Sequence, residues 1–281
     1  MANKIVNKVF LIFVEGTTDA DCLDLIVDYF KESFEQTDID IRVHGGDIFT
    51  NDENFKKSGP TILKEQVENY IKHYKLNPTD IIHVAFITDT DGIYVNPVEY
   101  IVNPTVAEFD YDLENKTIVC RNETKKKDML RSRQTKSTKL SKIIKPLDES
   151  SLTFNRTQIS YSIYYNSLNL EHVLFEKILP DNQKRRSLDE LLDSIDEDPE
   201  QLMDIFNAKA ITNDYLDSWQ KIKNLEMSRG LSNLNILFSF LSKLQNMCNR
   251  PITRYIEKVP KSCRLWNLFL FALFLNIFSP W

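Results

Sequence analysis

Two apolar stretches of this chain each run into acid: residues 9–16, VFLIFVEG, and residues 81–91, IIHVAFITDTD. Runs of aliphatic and aromatic residues bounded in this way suit strands covered on both faces, as in a parallel sheet. The segments between them have helical spacing. Cys22, Leu23, Ile26, Val27, Phe30 and Phe34 predict one helix, entered through a Thr18–Asp21 capping box. Residues 39–43 read as a short strand leading into His44-Gly45-Gly46-Asp47, followed by a polar loop to about Pro60. Pro60 then opens a second helix with Leu63, Val67, Tyr70, Ile71 and Tyr74 on one face, closed by Asn77-Pro78. Strand, helix, strand, helix, strand predicts an α/β fold with a mostly parallel sheet flanked by helices. In such sheets ligands bind beyond the carboxyl ends of the strands, where Glu15, Asp89 and Asp91 fall.

Beyond Gly92 the pattern loosens. Asn96-Pro97 and Asn103-Pro104 are turns, and residues 116–121 (KTIVCR) predict an edge strand of the sheet. Residues 121–145 then hold ten lysines and arginines against Glu123 and Asp128, in a chain whose net charge is -6. Such a run is ordinarily a solvated face or a mobile loop. It is also what holding a polyanion requires, and Lys125, Lys126, Lys127, Arg131 and Arg133 are the expected nucleic-acid contacts. Residues 159–165 (ISYSIYY) predict a further strand, and a helix over 170–178 carries Glu171 in its first turn. The helix dipole accounts for an acid there equally well. An acidic helical region spans 187–222 and an apolar helix 231–244.

This divides the chain into a catalytic domain over 1–178 with an insert at about 93–155, a helical extension over 179–264, and an uncharged tail over 265–281. Three accounts fit the tail: a packed or partner-facing helix, a membrane-contacting segment, or an altered C-terminus. It is slightly short for a membrane span. The four cysteines are far apart without metal-ligand spacing, and no secretory signal is read, so free thiols in the cytoplasm are expected. His44, His73, His83 and His172 show no ligand spacing either; His83, inside the central strand, is expected to be packed or paired, and His172 is a weaker site candidate.

Asp89 and Asp91 at one strand tip, with Glu15 on its neighbour, form a set of oxygen ligands suited to Mg²⁺, with Mn²⁺ as a substitute. Such a site activates water and neutralises phosphate charge in phosphodiester hydrolysis. Glu15 could hold the metal or move a proton.

Val14-Glu15-Gly16 with Asp19, the Gly45-Gly46 turn and Ile87-Thr88-Asp89-Thr90-Asp91 together resemble the TOPRIM domain of topoisomerases, bacterial primases, OLD-family nucleases and ribosomal-RNA maturases. The resemblance covers roughly residues 6–178, with the insert as a departure. It implies a Rossmann-like sheet, a general acid/base or metal-associated role for Glu15, and Mg²⁺ held by Asp89 and Asp91. A narrower similarity, over residues 164–175 (YYNSLNLEHVLF), is to RloB-like and related TOPRIM proteins of abortive-infection systems. It places Glu171 among the catalytic residues, although Leu170 stands where an aromatic is expected. The function so implied is a metal-dependent endonuclease acting on DNA or RNA, such as tRNA, as an anti-phage effector. Two alternatives share the sequence: nucleotidyl transfer at the same metal site, and a non-catalytic nucleic-acid-binding subunit. Defence members of the family often work beside a separate ATPase. This chain has no phosphate-binding G-x-x-x-x-G-K-[ST] loop of its own, and the resemblance implies an ATPase sensor subunit as a partner; nucleic acid and a homo-oligomer are the other expected partners.

Overall fold

The computed structural model describes residues 8–32, 34, 37–43 and 45–248. His44 and the 265–281 tail lie outside them. The first three strands are β1 (Lys8–Val14), β2 (Thr37–Val43) and β3 (Ile81–Asp89), separated by helices α1 (Thr17–Lys31) and α2 (Gly59–Tyr74). After the insert come β7 (Ser151–Phe154) and β8 (Thr157–Asn166). The sheet order is β2-β1-β3-β8-β7, parallel except for β7. The expected α/β architecture is therefore present. Every residue of β3 from Ile81 to Thr88 is buried, as a run that is apolar but for His83 and Thr88 requires.

Three local expectations change. Gly16, not Thr18, is the N-cap of α1; it has no side chain to accept a bond, and its N–H donates to the Asp19 carboxylate at 2.8 Å, so Asp19, not Asp21, supplies the one half of a capping box that forms. The strand in residues 116–121 is β6 (Thr117–Cys120), and it lies in the middle of a separate small sheet. Its neighbours there are β4 (Tyr100–Val102) and β5 (Phe109–Asp112). The basic run is one helix, α3 (Glu123–Ile143), capped by the Asn122 side chain. The hairpin joining β7 to β8 turns at Asn155, whose φ of 54° is the left-handed conformation that asparagine tolerates.

The C-terminal half forms α4 (Leu170–Phe175), α5 (Asp181–Ser194), α6 (Pro199–Ala208), α7 (Tyr215–Ile222) and α8 (Leu234–Cys248). Their apolar faces join the same buried cluster as the sheet: Leu202, Phe206, Trp219, Leu237 and Leu241 are continuous with Phe10, Ile12 and Ile163. The extension also solves a backbone problem. β7 pairs only with the first residues of β8, through Ser160, leaving the outer edge of the rest without a strand. Side chains take its place. The Ile163 N–H donates to Tyr215 Oη at 3.0 Å, and Trp219 Nε1 donates to the Ile163 carbonyl at 3.1 Å. The Tyr165 N–H donates to Asn233 Oδ1 at 2.8 Å, and Ser232 Oγ to the Tyr165 carbonyl at 3.0 Å. An otherwise bare sheet edge is thus paired and covered.

His83 is buried, as expected, with its ring nitrogens 2.8 Å from both Ser160 Oγ and Ser162 Oγ; burial lowers its pKa to about 3. Cys22 and Cys120 are free and buried. No helix among the described residues is long and apolar enough to cross a membrane.

Candidate active site

Glu15 follows β1 and Asp89 ends β3, so the parallel register brings them together at the carboxyl end of the sheet. Thr88 Oγ1 makes a short hydrogen bond to Glu15 Oε1, and the Asp89 N–H donates to the same oxygen at 3.2 Å. The glycine turn after β2 closes on this point. Gly45 and Gly46 N–H groups donate to the Glu15 carbonyl at 3.0 and 2.8 Å. Their φ values of 77° and 118° explain why glycines stand there. The turn delivers Asp47 to the site, a carboxylate that the sequence reading passed over.

A second omission is larger. Lys136, from the middle of α3, is completely buried in the carboxylate cluster. Its Nζ lies 2.8 Å from Asp91 Oδ2, 3.1 Å from Glu15 Oε1 and 3.5 Å from Asp47 Oδ2. Those three carboxylates outweigh burial and raise the Lys136 pKa well above its ordinary value, so the lysine is charged. One turn earlier, Arg133 donates to Tyr111 Oη at 3.1 Å and stands 3.9 Å from Asp91. Tyr111 Oη in turn donates to the Asp91 backbone carbonyl at 3.1 Å. One turn later, Lys139 Nζ donates to the carbonyls of Phe49, Asn54 and Phe55 at 2.5, 2.8 and 3.1 Å, pinning the loop that follows Asp47. The basic run therefore turns one row of its charges inward.

The five residues expected to contact nucleic acid do not form one face. Arg133 enters the site. Lys125 pairs with Glu108 at 3.1 Å and lies 5.6 Å from the Phe109 ring centroid. The Arg131 guanidinium sits 4.7 Å above Phe55. Lys126 is half-buried and Lys127 exposed.

Glu171 is buried at the start of α4, 3.8 Å from Lys184 Nζ. It belongs to a second flank of the cluster, where its charge acts on Asp19 and that of Asp19 acts on Asp89. His172 instead approaches the Ser167 carbonyl at 3.1 Å and takes no part.

The electrostatics divide the acids into two kinds. Burial pushes Glu15 up to about 7, with Asp47 and Asp91 adding to the rise and Lys136 opposing it. Burial, opposed by the Gly16 N–H and aided by Glu171, raises Asp19 to about 6. Asp89 is driven well above the usual carboxylate range by burial and then by Asp19, Glu15 and Asp91. Burial raises Glu171 as well. Asp91 goes the other way: burial pushes it up, but the Lys136 and Arg133 cations hold it below its ordinary value.

A divalent cation suits the first kind. Among the described residues every donor to the Glu15 carboxylate uses Oε1. Among the described residues none donates to the Asp89 carboxylate, and Asp19 Oδ1 is buried without a partner. Oxygen-only ligands carrying uncompensated charge favour a hard ion such as Mg²⁺. Among the described residues no three or more histidine, cysteine, aspartate or glutamate side chains are placed together so as to hold a metal ion. Mg²⁺ often takes only one or two carboxylates and keeps several waters. The space between Glu15, Asp91 and Asp47 already holds the Lys136 ammonium, so the Asp89 flank of Glu15 fits the ion better.

Comparison with known protein families, curated proteins and solved structures finds no match to this chain.

Proposed function

We propose that this chain is a Mg²⁺-dependent nuclease, with Mn²⁺ able to substitute, acting on the phosphodiester bonds of DNA or RNA. The observation that carries the reading is a buried lysine set among carboxylates at the carboxyl ends of adjacent parallel strands. Glu15 and Asp89 would hold the ion, with Asp91 beside them. When bound, the metal supplies a water of lowered pKa and charge neutralisation at phosphate.

The remaining chemistry comes from the chain. Glu15, with a pKa near 7, is suited to accept a proton from water and release it again near neutral pH. Lys136 and Arg133 are cations fixed beside the acids: Lys136 sets the charge of Glu15 and Asp91 from within, and Arg133, at the rim, would stabilise charge on a pentavalent phosphate. Lys126, Lys127 and Arg131 lie on the same helix toward solvent or the Asp47 loop, where they would engage the backbone of a longer polyanion. The anti-phage role, an ATPase partner and self-assembly belong to this proposal through the TOPRIM and RloB-like resemblance alone.

Expression in cells tests it. The wild type should arrest growth and leave nucleic acid with defined cut ends, which sequencing would assign to DNA or RNA. E15A and D89A/D91A should do neither. Equal arrest by all three would overturn the metal-site mechanism.

A further inference from the structure

The Asp91 turn has an unusual backbone. Asp91 and Gly92 are both left-handed, with φ of 55° and 82°. Two successive residues in that region need outside support when one of them has a side chain. Part comes from the neighbouring loop: the Asp91 N–H donates to the Leu168 carbonyl at 3.0 Å, and the Leu168 N–H to Thr90 Oγ1 at 2.8 Å.

The rest comes from far along the chain. Glu226, in the segment between α7 and α8, is only 3% exposed. Its Oε1 accepts the Gly92 N–H at 3.1 Å and its Oε2 accepts the Tyr94 N–H at 2.8 Å. Its own carbonyl accepts Ser167 Oγ at 2.6 Å, tying the segment to the loop that supports Asp91 from the other side. Among the described residues no cation pairs with this carboxylate. A buried carboxylate without a counter-charge is costly, and a less polar acceptor would be cheaper if only one N–H had to be satisfied. Here each of the two N–H groups meets its own oxygen of one rigid fork. Glutamine offers one, and its amide nitrogen would meet the second N–H head-on.

We infer that Glu226 is a positioning residue for the active site: it fixes the left-handed turn that aims Asp91 at Lys136, beside the metal-binding flank. The assignment rests on the proposed reading of the carboxylate cluster. It gives the helical extension a part in the chemistry, since a residue remote in sequence sets the geometry of the D-x-D tip. Glu226 acts through Asp91 and does not itself reach the reacting atoms.

The test uses the full chain as wild type, E226Q, E226D, D91N and D91N/E226Q. Two readouts are taken: exchange of the Gly92 and Tyr94 amide hydrogens, and binding of Mn²⁺ alone followed by the resonance of the free ion. In E226Q both amides should exchange faster, and Mn²⁺ affinity should fall about tenfold, the usual effect of losing a partner that supports a metal site from outside its ligands. E226D keeps both acceptor oxygens and should lose less than E226Q, which also serves if E226Q folds poorly. On the D91N background, E226Q should change Mn²⁺ affinity no further. Unchanged amides and affinity in E226Q would overturn the proposal. So would an equal loss with and without the Asp91 carboxylate, which marks general damage to the fold. Failure of the wild type to bind Mn²⁺ would overturn the metal reading itself, a result distinct from wild type and E226Q binding equally.

Discussion

Lys136 holds three carboxylates at once with no access to solvent, and that arrangement predicts how it responds to change. K136M keeps the stem and removes the charge. Breaking one side of a buried ion pair costs about 3–5 kcal/mol. Urea unfolding of K136M in chelator at pH 7.5 should show a loss of that size. At pH 5 the loss should shrink, because the abandoned acids can take up protons. Asp89 predicts the opposite sign. Its folded pKa stands above its ordinary 3.8, so the native state holds that proton more tightly than the unfolded chain. Its contribution to stability is present at low pH and is lost as pH climbs past the unfolded value toward the folded one. Glu15 behaves likewise between 4.5 and about 7. His83, lowered to about 3, opposes this trend up to about its ordinary 6.5. Comparing D89N with wild type cancels that opposition. Without metal, D89N should therefore unfold later than wild type at pH 7.5, by about 0.5–2 kcal/mol, while losing activity. The advantage should fade at pH 5. Equal melting of the two proteins at both pH values would contradict the assigned electrostatics.

At the scale of elements, α3 and the edge of β8 show what a sequence reveals and what it hides. The strands β1 and β3 were legible because both faces are buried and nearly every residue is apolar; Glu15, Asp89 and Asp91 came with them. α3 was not legible, because its buried row, Met129, Lys136, Lys139, Leu140 and Ile143, carries two lysines in its middle, with Arg133 half-buried beside them. A buried stripe interrupted by lysines leaves only Met129, Leu140 and Ile143 apolar, too sparse a period to read. The available signals were the Asn122 cap and the absence of Gly and Pro from there to Pro146. β7 was missed for a different reason: four residues with a two-residue turn are a weak pattern, though Asn155 marked the turn. The edge of β8 is closed by tyrosine, tryptophan, asparagine and serine side chains, a tertiary arrangement with no local signature. It yields a clean test. Y215F keeps the ring and removes the oxygen that accepts the Ile163 N–H. An unsatisfied buried donor costs about 1–3 kcal/mol, so thermal unfolding should show a loss of that size. A loss near zero would mean that the N–H finds another acceptor.

The whole molecule is organised around one end of one sheet. β1, β2 and β3 bring Glu15, Asp47 and Asp89 there; the insert sends Lys136, Arg133 and Tyr111; the extension sends Glu226 and seals the β8 edge. The boundary expected near residue 178 does not separate two hydrophobic cores, since α5 to α8 share theirs with the sheet. A catalytic unit ending there would lose Trp219, the cover of β8 and the support of the Asp91 turn together. The central claim is that these converging charges cut phosphodiester bonds with a divalent ion. The most direct measurement incubates the purified full chain with end-labelled RNA and DNA, in Mg²⁺ or in chelator, beside E15Q, D89N and K136M. The account predicts fragments from the wild type in Mg²⁺, none in chelator, and rates at least a hundredfold lower for each variant, on the order expected when acid–base or charge-stabilising groups are removed. Cleavage that persists in chelator, or that all three variants retain, would contradict it.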